Sequence, residues 1–304
     1  MRVAAIDCGT NSIRLLIADI EGNSFREISR QMEIVRLGQG VDETGQFHPE
    51  AIARTLDAVD QYSAEIRRRG VEKIRFCATS ASRDATNRDL FLNGVHERLG
   101  IFPEVISGQE EATLSFQGAT REFSADQGPF LVVDIGGGST EFVFGHESVE
   151  FAKSVNIGCV RMSERHFKSD PPTVDEIRAA TSDITAAIAQ AAAVVPITTS
   201  QTLIAVAGTA TTVAAAALGL DEYDRDAIHL ARIPAQRVHE ISNTFLAMTR
   251  KERAALGYMH PGRVDVITAG SLVLSNIMIA TGALEFVASE SDILDGMAWS
   301  LASS

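Results

Sequence analysis

The sequence is poor in cysteine and in positive charge. Its three cysteines, Cys8, Cys77 and Cys159, are odd in number and widely spaced in 304 residues, which argues against a disulfide framework or a cysteine metal site and predicts a reducing cytoplasm. The 27 basic residues are outnumbered by 40 acidic ones, giving a net charge of −13. This balance argues against nucleic acid or an anionic membrane as the main partner, although a local basic patch would still suffice for a polyanionic substrate.

The sequence also lacks a convincing membrane span or signal segment. Two charge-free stretches, 202–220 and 266–284, approach spanning length, but Ser, Thr, Asn or Gly dilutes each of them and no aromatic or basic anchors flank them. We therefore expect buried helices of a soluble protein, and the N-terminus enters a strand at once. With 45% hydrophobic and 22% charged residues, the chain can form two domains with substantial cores.

One stretch predicts a strand, a glycine turn and a second strand: Phe130-Leu-Val-Val-Asp-Ile-Gly-Gly-Gly-Ser-Thr-Glu-Phe-Val-Phe144. Glycine permits a tight turn with outward N–H groups that can hold phosphate oxygens. The predicted phosphate ligands here are Gly136, Gly137, Gly138, Ser139 and Thr140. Asp134 and Glu141 would repel phosphate on their own but suit Mg²⁺, with Mn²⁺ as the alternative ion, so the acidic pair implies a metal.

The same arrangement occurs at the N-terminus. An apolar run leads through Asp7 to Gly9, Thr10, Asn11 and Ser12 and is followed by a second apolar run. Asp7 and Asp134 are 127 residues apart, a spacing that suits one duplicated domain rather than a short repeat. The duplication predicts two phosphate loops, with Asp7 as a further metal ligand.

Together the two loop motifs resemble the exopolyphosphatase/guanosine pentaphosphatase (Ppx/GppA) family. The resemblance covers nearly the whole chain in order, through the segments 78–85, 106–112, 156–161, 207–212 and 261–265. It implies an α/β fold of two actin-like, ribonuclease H-like domains with mixed sheets flanked by helices and an active site in the interdomain cleft. A polar segment at 121–128 places the boundary between domains 1–122 and 123–304, and the last helix can also pack back on the first domain. The resemblance further implies a homodimer.

Two charged side chains follow predicted strands of the first domain. Arg83 comes after a buried strand, where ligands of α/β sheets lie, and matches an arginine of the family. We expect it to bind phosphate, the alternative being an ion pair with Asp84 or Asp89. Glu111 matches the glutamate that the family uses as catalytic base, whereas Glu110 is explained by a capping box that begins at Ser107.

Two features of the second domain leave alternatives open. Gly208 and Thr209 follow a predicted strand and begin a helix, so their N–H groups can bind phosphate or the turn can simply pack tightly. The basic cluster Arg161, Arg165, His166 and Lys168 suits either a solvated helix surface or the distal part of a polyphosphate chain.

The resulting hypothesis is a magnesium-dependent exopolyphosphatase that releases orthophosphate from the ends of short polyphosphate chains. The main alternative is hydrolysis of guanosine pentaphosphate (pppGpp), the alarmone of the stringent response. A sugar- or acyl-kinase relative needs an acceptor pocket and an adenosine site, and an actin-like filament or sensor protein would bind nucleotide without fast turnover. A Glu111 substitution separates these classes, because only a hydrolase should lose turnover while keeping its ligand.

Overall fold

Two mixed β-sheets, one in each of two units, form the framework of the protein. The computed structural model describes residues 1–22 and 24–302. The first unit comprises Met1–Gly118 together with the segment that begins at Ile293, and the second is Ala119–Asp292. The predicted boundary after residue 122 lies within this second segment.

The first unit contains a five-stranded sheet. Its strands are β1 (Arg2–Cys8), β2 (Ser12–Glu21), β3 (Ser24–Ile34), β4 (Lys73–Ala78) and β5 (Glu104–Val105), in the order β3-β2-β1-β4-β5. β1, β2 and β3 pair antiparallel, whereas β4 pairs parallel to β1 and to β5. All but one residue of β1 is buried, because the strand has neighbours on both sides and helices cover both faces of the sheet.

Among its described residues, this unit contains the helices α1 (Val41–Thr44), α2 (Pro49–Arg69), α3 (Ser80–Asp84), α4 (Asp89–Leu99), α5 (Gly108–Thr120, whose end passes into the second unit) and the C-terminal Ile293–Ala302. Apolar side chains at steps of three and four predict a helix over 49–69 with Gly70 as its stop. The structure confirms it, with the His48 side chain as its cap and Gly70 ending it at φ 66°. The sequence also predicts a helix over 86–99 that Gly100 ends, and in the structure this helix begins only at Asp89. Asn87 exchanges two hydrogen bonds with the Phe47 backbone, which holds the preceding turn outside the helix.

The second unit contains a six-stranded sheet. Its strands are β6 (Phe130–Ile135), β7 (Thr140–Gly145), β8 (Val149–Val155), β9 (Thr202–Val206), β10 (Arg232–Pro234) and β11 (Glu285–Ala288), in the order β10-β11-β9-β6-β7-β8. β6, β7 and β8 are antiparallel neighbours, and β9 runs parallel to β6 and to β11. Five of these strands repeat the order of the first sheet, as a duplicated domain requires. The predicted fold class, two units with mixed sheets and flanking helices, is confirmed.

The helices of the second unit are α6 (Cys159–His166), α7 (Val174–Ala192), α8 (Ala207–Leu218), α9 (Arg225–Ile228), α10 (Ala235–Ala247), α11 (Arg250–Ala254) and α12 (Ile267–Thr281), and short 3₁₀ turns occupy Ala125–Gln127 and Pro261–Arg263. The charge-free stretches of the sequence fold as β9 with α8 and as α12, whose apolar side chains join one buried core. Among the residues described, no helix has both the length and the apolar character needed to span a membrane.

The C-terminal helix, α13 (Ile293–Ala302), completes the core of the first unit. Its buried side chains Ile293, Leu294 and Met297 pack with residues of β1 and β2. Gly296 lies so close to α5 that a β-carbon would meet the Leu114 carbonyl oxygen at 2.0 Å. The first unit is therefore assembled from both ends of the chain.

Candidate active site

The first polar loop joins β1 to β2. It is closed by a hydrogen bond of 2.9 Å from the Gly9 N–H to the Ser12 carbonyl. Asp7 and Arg14 face each other across the two strands, and a guanidinium N–H of Arg14 donates to Asp7 Oδ2 at 2.6 Å. The buried Asp7 carboxylate therefore already has a cationic partner within the protein, which weakens its case as a metal ligand.

The segment that follows β3, residues 35–38, is hydrogen-bonded to this loop. The N–H groups of Val35 and Arg36 both donate to the Asn11 carbonyl, and the Gly38 N–H donates to the Thr10 carbonyl at 2.9 Å. Gly38 is required here, because a β-carbon would lie 2.4 Å from Thr10 Cγ2. Thr10 is buried, and its Oγ1 has no hydrogen-bond partner in the described part of the chain. Since buried hydroxyls are normally satisfied, Thr10 fits a loop that binds an exogenous oxygen group.

Arg83 and Glu111, predicted separately, form an ion pair. Arg83 Nη1 donates to Glu111 Oε2 at 2.7 Å and to the Ile106 carbonyl at 3.0 Å. Their side chains are 23% and 12% exposed, respectively. Each residue lies just beyond the carboxyl end of a parallel strand, on α3 after β4 and on α5 after β5, which explains why they meet. The alternative prediction, an ion pair of Arg83 with Asp84 or Asp89, is wrong, because the partner is Glu111.

Burial raises the pKa of the Glu111 carboxyl above its ordinary value. The positive charge of Arg83 opposes this rise, the negative charge of Asp7 adds to it, and a hydrogen bond from the Thr79 side chain again opposes it. The net direction is upward. Glu111 is thus a carboxylate with more proton affinity than an exposed glutamate, as suits a general base acting near neutrality.

The adjacent Glu110 has a different environment. Ser107 Oγ accepts the Glu110 N–H at 3.1 Å, as the capping box predicts, but the Glu110 carboxylate pairs with the Arg75 guanidinium at 2.6 Å. A capping box also predicts that this carboxylate accepts the first backbone N–H of the helix, and this prediction is wrong, because Arg75 offers a charged donor. Two consecutive glutamates therefore have separate partners.

The second polar loop joins β6 to β7 and carries the acidic pair. Asp134 and Glu141 are directly opposite in the antiparallel register, so both side chains lie on one face of the sheet. They are only 6% and 1% exposed. Glu141 Oε1 accepts hydrogen bonds from Ser139 Oγ at 2.8 Å and from Ser154 Oγ at 2.7 Å. The Thr140 hydroxyl donates instead to the Ile157 carbonyl at 2.6 Å, a structural bond that argues against its predicted contact with phosphate.

The N-terminus of helix α6 binds the carbonyl groups of the glycine turn. The N–H groups of Cys159, Val160 and Arg161 donate to the carbonyls of Gly136 and Gly137 at 2.9–3.1 Å. At Gly158 a β-carbon would lie 2.2 Å from the Gly137 carbonyl, so only glycine allows this contact. α6 therefore covers the carbonyl side of the turn, and the Gly136 N–H closes the turn by donating to the Ser139 carbonyl at 3.0 Å.

The basic cluster of α6 divides into two parts. Arg161 Nε donates to the Gly138 carbonyl at 2.7 Å, which places it against the glycine turn. Arg165 and His166 both contact Asp183 of α7, at 2.7 and 3.0 Å, and Lys168 donates to the Glu164 carbonyl. Arg161 alone of these four side chains contacts the candidate site, and the other three contact residues of α6 and α7.

The turn from β9 into α8 contains a strained residue and a glycine covered by arginine. Ala207 has φ 66°, a left-handed conformation that is uncommon for alanine. The Arg263 guanidinium packs on Gly208, where a β-carbon would lie 2.3 Å from it, and donates to Thr212 Oγ1 at 3.0 Å. The predicted ligand Thr209 is buried against Gly270, which supports the packing reading for its side chain. Sequence reasoning missed Arg263, although it lies in a motif of the resemblance.

The predicted metal ligands fit a hard cation only in part. Within residues 1–22 and 24–302, no three side chains of His, Cys, Asp or Glu cluster as a metal site. Mg²⁺ commonly binds through one or two carboxylates together with phosphate oxygens and water. Asp134 and Glu141 match this pattern, because they are two buried carboxylates on opposed strand positions.

The repeated strand order, with a polar loop after the first strand of each sheet, defines a member of the actin-like superfold. A sequence profile of the Ppx/GppA phosphatase family matches residues 16–301, and the chain belongs to this family. Exopolyphosphatase 2 of Mycobacterium tuberculosis is 47% identical over 314 aligned positions, which cover 99% of this chain and 98% of that protein. The resemblance found in the sequence is therefore confirmed.

Two further comparisons bear on structure and on substrate. A crystal structure of an exopolyphosphatase-like protein matches this chain with a TM-score of 0.96 and 41% identity, covering 100% of this chain and 99% of that one. The guanosine-5'-triphosphate,3'-diphosphate pyrophosphatase of Vibrio atlanticus is 38% identical over 166 residues, 54% of this chain and 33% of that protein. Similarity to the pyrophosphatase is thus partial.

Proposed function

We propose that this protein is an exopolyphosphatase that hydrolyses the terminal phosphoanhydride of inorganic polyphosphate, preferentially of short chains, and releases orthophosphate. The observation that carries the proposal is the largely enclosed Glu111, whose side chain is 12% exposed, whose pKa is raised and whose carboxylate pairs with Arg83 beyond the carboxyl ends of β4 and β5. Full-length similarity to a protein named exopolyphosphatase 2 supports the same substrate.

Glu111 acts as the general base. It accepts a proton from a water molecule as the water oxygen attacks the terminal phosphorus, while the bridging oxygen leaves with the shortened chain. The leaving phosphate is already a weak base, so no general acid is needed. Arg83, bonded to the same carboxylate, brings positive charge next to the phosphoryl oxygens on which negative charge gathers.

The polar loops bind phosphate. In the first unit the roles fall to the loop N–H groups that follow Gly9, whose own N–H closes the loop, and to the unsatisfied hydroxyl of Thr10. In the second unit, the N–H groups of Gly137 and Gly138 bind phosphate, because the Gly136 N–H donates to the Ser139 carbonyl and α6 occupies the carbonyl side of the turn. Backbone N–H groups suit a polyphosphate because every unit of that chain presents the same oxygens.

Asp134 and Glu141 are the residues that would hold Mg²⁺. Asp7 is not included among these ligands, because it forms an ion pair with Arg14. A bound Mg²⁺ supplies positive charge that neutralises phosphate oxygens and lowers the repulsion met by an incoming nucleophile. Ser139 and Ser154 orient the Glu141 carboxylate through their hydroxyl groups.

We also propose a cytoplasmic homodimer. The three cysteines are free and buried, which suits a reducing compartment, and the dimer rests on the family resemblance. Sedimentation equilibrium of the purified chain tests the oligomeric state.

Hydrolysis of pppGpp is the second candidate, favoured by the partial similarity to the Vibrio pyrophosphatase. Both substrates end in a phosphoanhydride, so one base and one set of phosphate contacts would serve either. Orthophosphate release with Mg²⁺ from short polyphosphate, long polyphosphate, pppGpp and ATP, assayed in parallel, distinguishes them. We expect short polyphosphate to react fastest, whereas release from pppGpp alone would replace the proposal, and no release from any substrate would overturn it.

A further inference from the structure

The side chain of Arg161 contacts the glycine turn of the second polar loop. Arg161 lies in the first turn of α6 and is half-buried. Its Nε–H donates to the Gly138 carbonyl at 2.7 Å, and its backbone N–H donates to the Gly137 carbonyl at 3.1 Å. A hydrogen bond from a charged donor is stronger than one from a neutral amide. The guanidinium is therefore held firmly against the turn.

These bonds fix the orientation of two peptide groups in the turn. Both peptides are trans, so the carbonyl of one residue and the N–H of the next point in opposite directions. Because the Gly137 and Gly138 carbonyls point toward α6, the N–H groups of Gly138 and Ser139 point away from it. The Ser139 N–H belongs to the peptide whose carbonyl Arg161 binds, so this side chain determines where that donor points.

The first polar loop holds the equivalent carbonyl in a different way. Asn11 and Gly138 are 127 residues apart, which is the offset between the two loop motifs. The Asn11 carbonyl accepts the N–H groups of Val35 and Arg36 at 3.1 and 2.9 Å. Arg36 has a left-handed φ of 51°, which is uncommon for residues other than glycine. Each unit thus fixes the carbonyl at this loop position by its own means, which indicates that the orientation of this peptide matters for what the loops bind.

The charges of the two loops differ. Across the strands from Asp7 lies Arg14, whereas Glu141 occupies the equivalent position across from Asp134. The second loop therefore carries two buried carboxylates, and a bound phosphate would add more negative charge. The guanidinium of Arg161 brings positive charge to the same turn, which favours an anion there.

We propose that Arg161 is a positioning residue of the second phosphate loop. It holds the Gly138 carbonyl so that the Ser139 N–H faces the substrate phosphate, and its charge stabilises that phosphate. This inference rests on the proposed function. Since Glu111 of the first unit accepts the proton, Arg161 determines the affinity for polyphosphate rather than the rate of the chemical step.

Arg161→Met tests the proposal, because methionine keeps the apolar stem and removes the charge and the donors. With Mg²⁺ and short polyphosphate, we expect KM to rise by about 10- to 100-fold, the usual effect of losing a hydrogen bond to a charged group, while kcat changes little. Arg161→Lys keeps the charge and should recover part of the affinity. Arg165→Met is the matched control, because it removes the same charge one turn further along α6, where Arg165 pairs with Asp183, and it should leave KM unchanged.

Binding to a protein that lacks the base separates this inference from the function on which it rests. In the Glu111→Gln background, isothermal titration with short polyphosphate should show the same loss of affinity for Arg161→Met. Arg161→Gln, which also removes the charge, replaces it if the methionine variant does not fold. Unchanged affinity, or an equal loss in Arg165→Met, would overturn the role of Arg161 alone. Full activity of the Glu111→Gln single variant would instead overturn the proposed function.

Discussion

At the scale of single residues, the central feature is the contact between Arg83 and Glu111. Both residues could be identified from the sequence, one by its place after a strand and the other by family resemblance. Their ion pair could not, because it depends on β4 and β5 being parallel neighbours in the same sheet. The sequence likewise could not show that Asp7 pairs with Arg14, since strand register decides which side chains face each other.

Replacing Arg83 should change the pH dependence of hydrolysis. Burial raises the pKa of the Glu111 carboxyl and the Arg83 guanidinium lowers it. Arg83→Leu removes the lowering effect, so the pKa of Glu111 should rise further. The base is then protonated up to a higher pH, and the acidic limb of the kcat/KM profile should move upward. Arg83→Lys keeps the charge and should move it less. A pH–rate series on short polyphosphate checks this, and an unmoved limb in Arg83→Leu would contradict it.

At the scale of elements, the strands and the longer helices could be predicted from the sequence. The contacts that other segments make with the polar loops could not. Hydrophobic periodicity and glycine turns gave β6 and β7 and the helix 49–69. The contact of α6 with the glycine turn depends on Gly158, whose role appears only when the Gly137 backbone is seen against it. Arg263 on Gly208 is a similar case, because nothing in local spacing links residues 55 positions apart.

Gly158→Ala should displace the second polar loop. A β-carbon would lie 2.2 Å from the Gly137 carbonyl, and backbone cannot move aside as a flexible side chain can. We expect weaker binding of short polyphosphate and a loss of roughly 1–3 kcal/mol of unfolding free energy, as for other overpacked sites. Isothermal titration and urea unfolding measure the two effects, and unchanged affinity would show that α6 does not shape the loop.

At the scale of the whole molecule, the repeated strand order could be inferred from the 127-residue offset between the loop motifs. The contribution of α13 to the first core could not be fixed from the sequence, because an apolar helix shows that it is buried but not against which sheet. In the structure its side chains join those of Val3, Ala5 and Leu16. The folding of the first unit therefore depends on residues from both ends of the chain.

Met297→Ala should destabilise the first unit. Met297 is fully buried in α13, and truncating such a side chain usually costs about 2–5 kcal/mol. The single tryptophan, Trp299, lies in the same helix with its ring centroid 5.4 Å from that of Phe25. Its fluorescence during urea unfolding should thus report the loss. A midpoint equal to that of the unaltered chain would contradict the assigned packing of α13.

The most direct test of the central claim compares two neighbouring glutamates. Glu111→Gln and Glu110→Gln remove the same charge one residue apart, but only Glu111 has the environment of a base, whereas Glu110 pairs with Arg75. With Mg²⁺ and short polyphosphate, Glu111→Gln should lose orthophosphate release by about 100-fold or more while still binding the chain, and Glu110→Gln should stay near the unaltered rate. Near-normal release by Glu111→Gln would contradict the account.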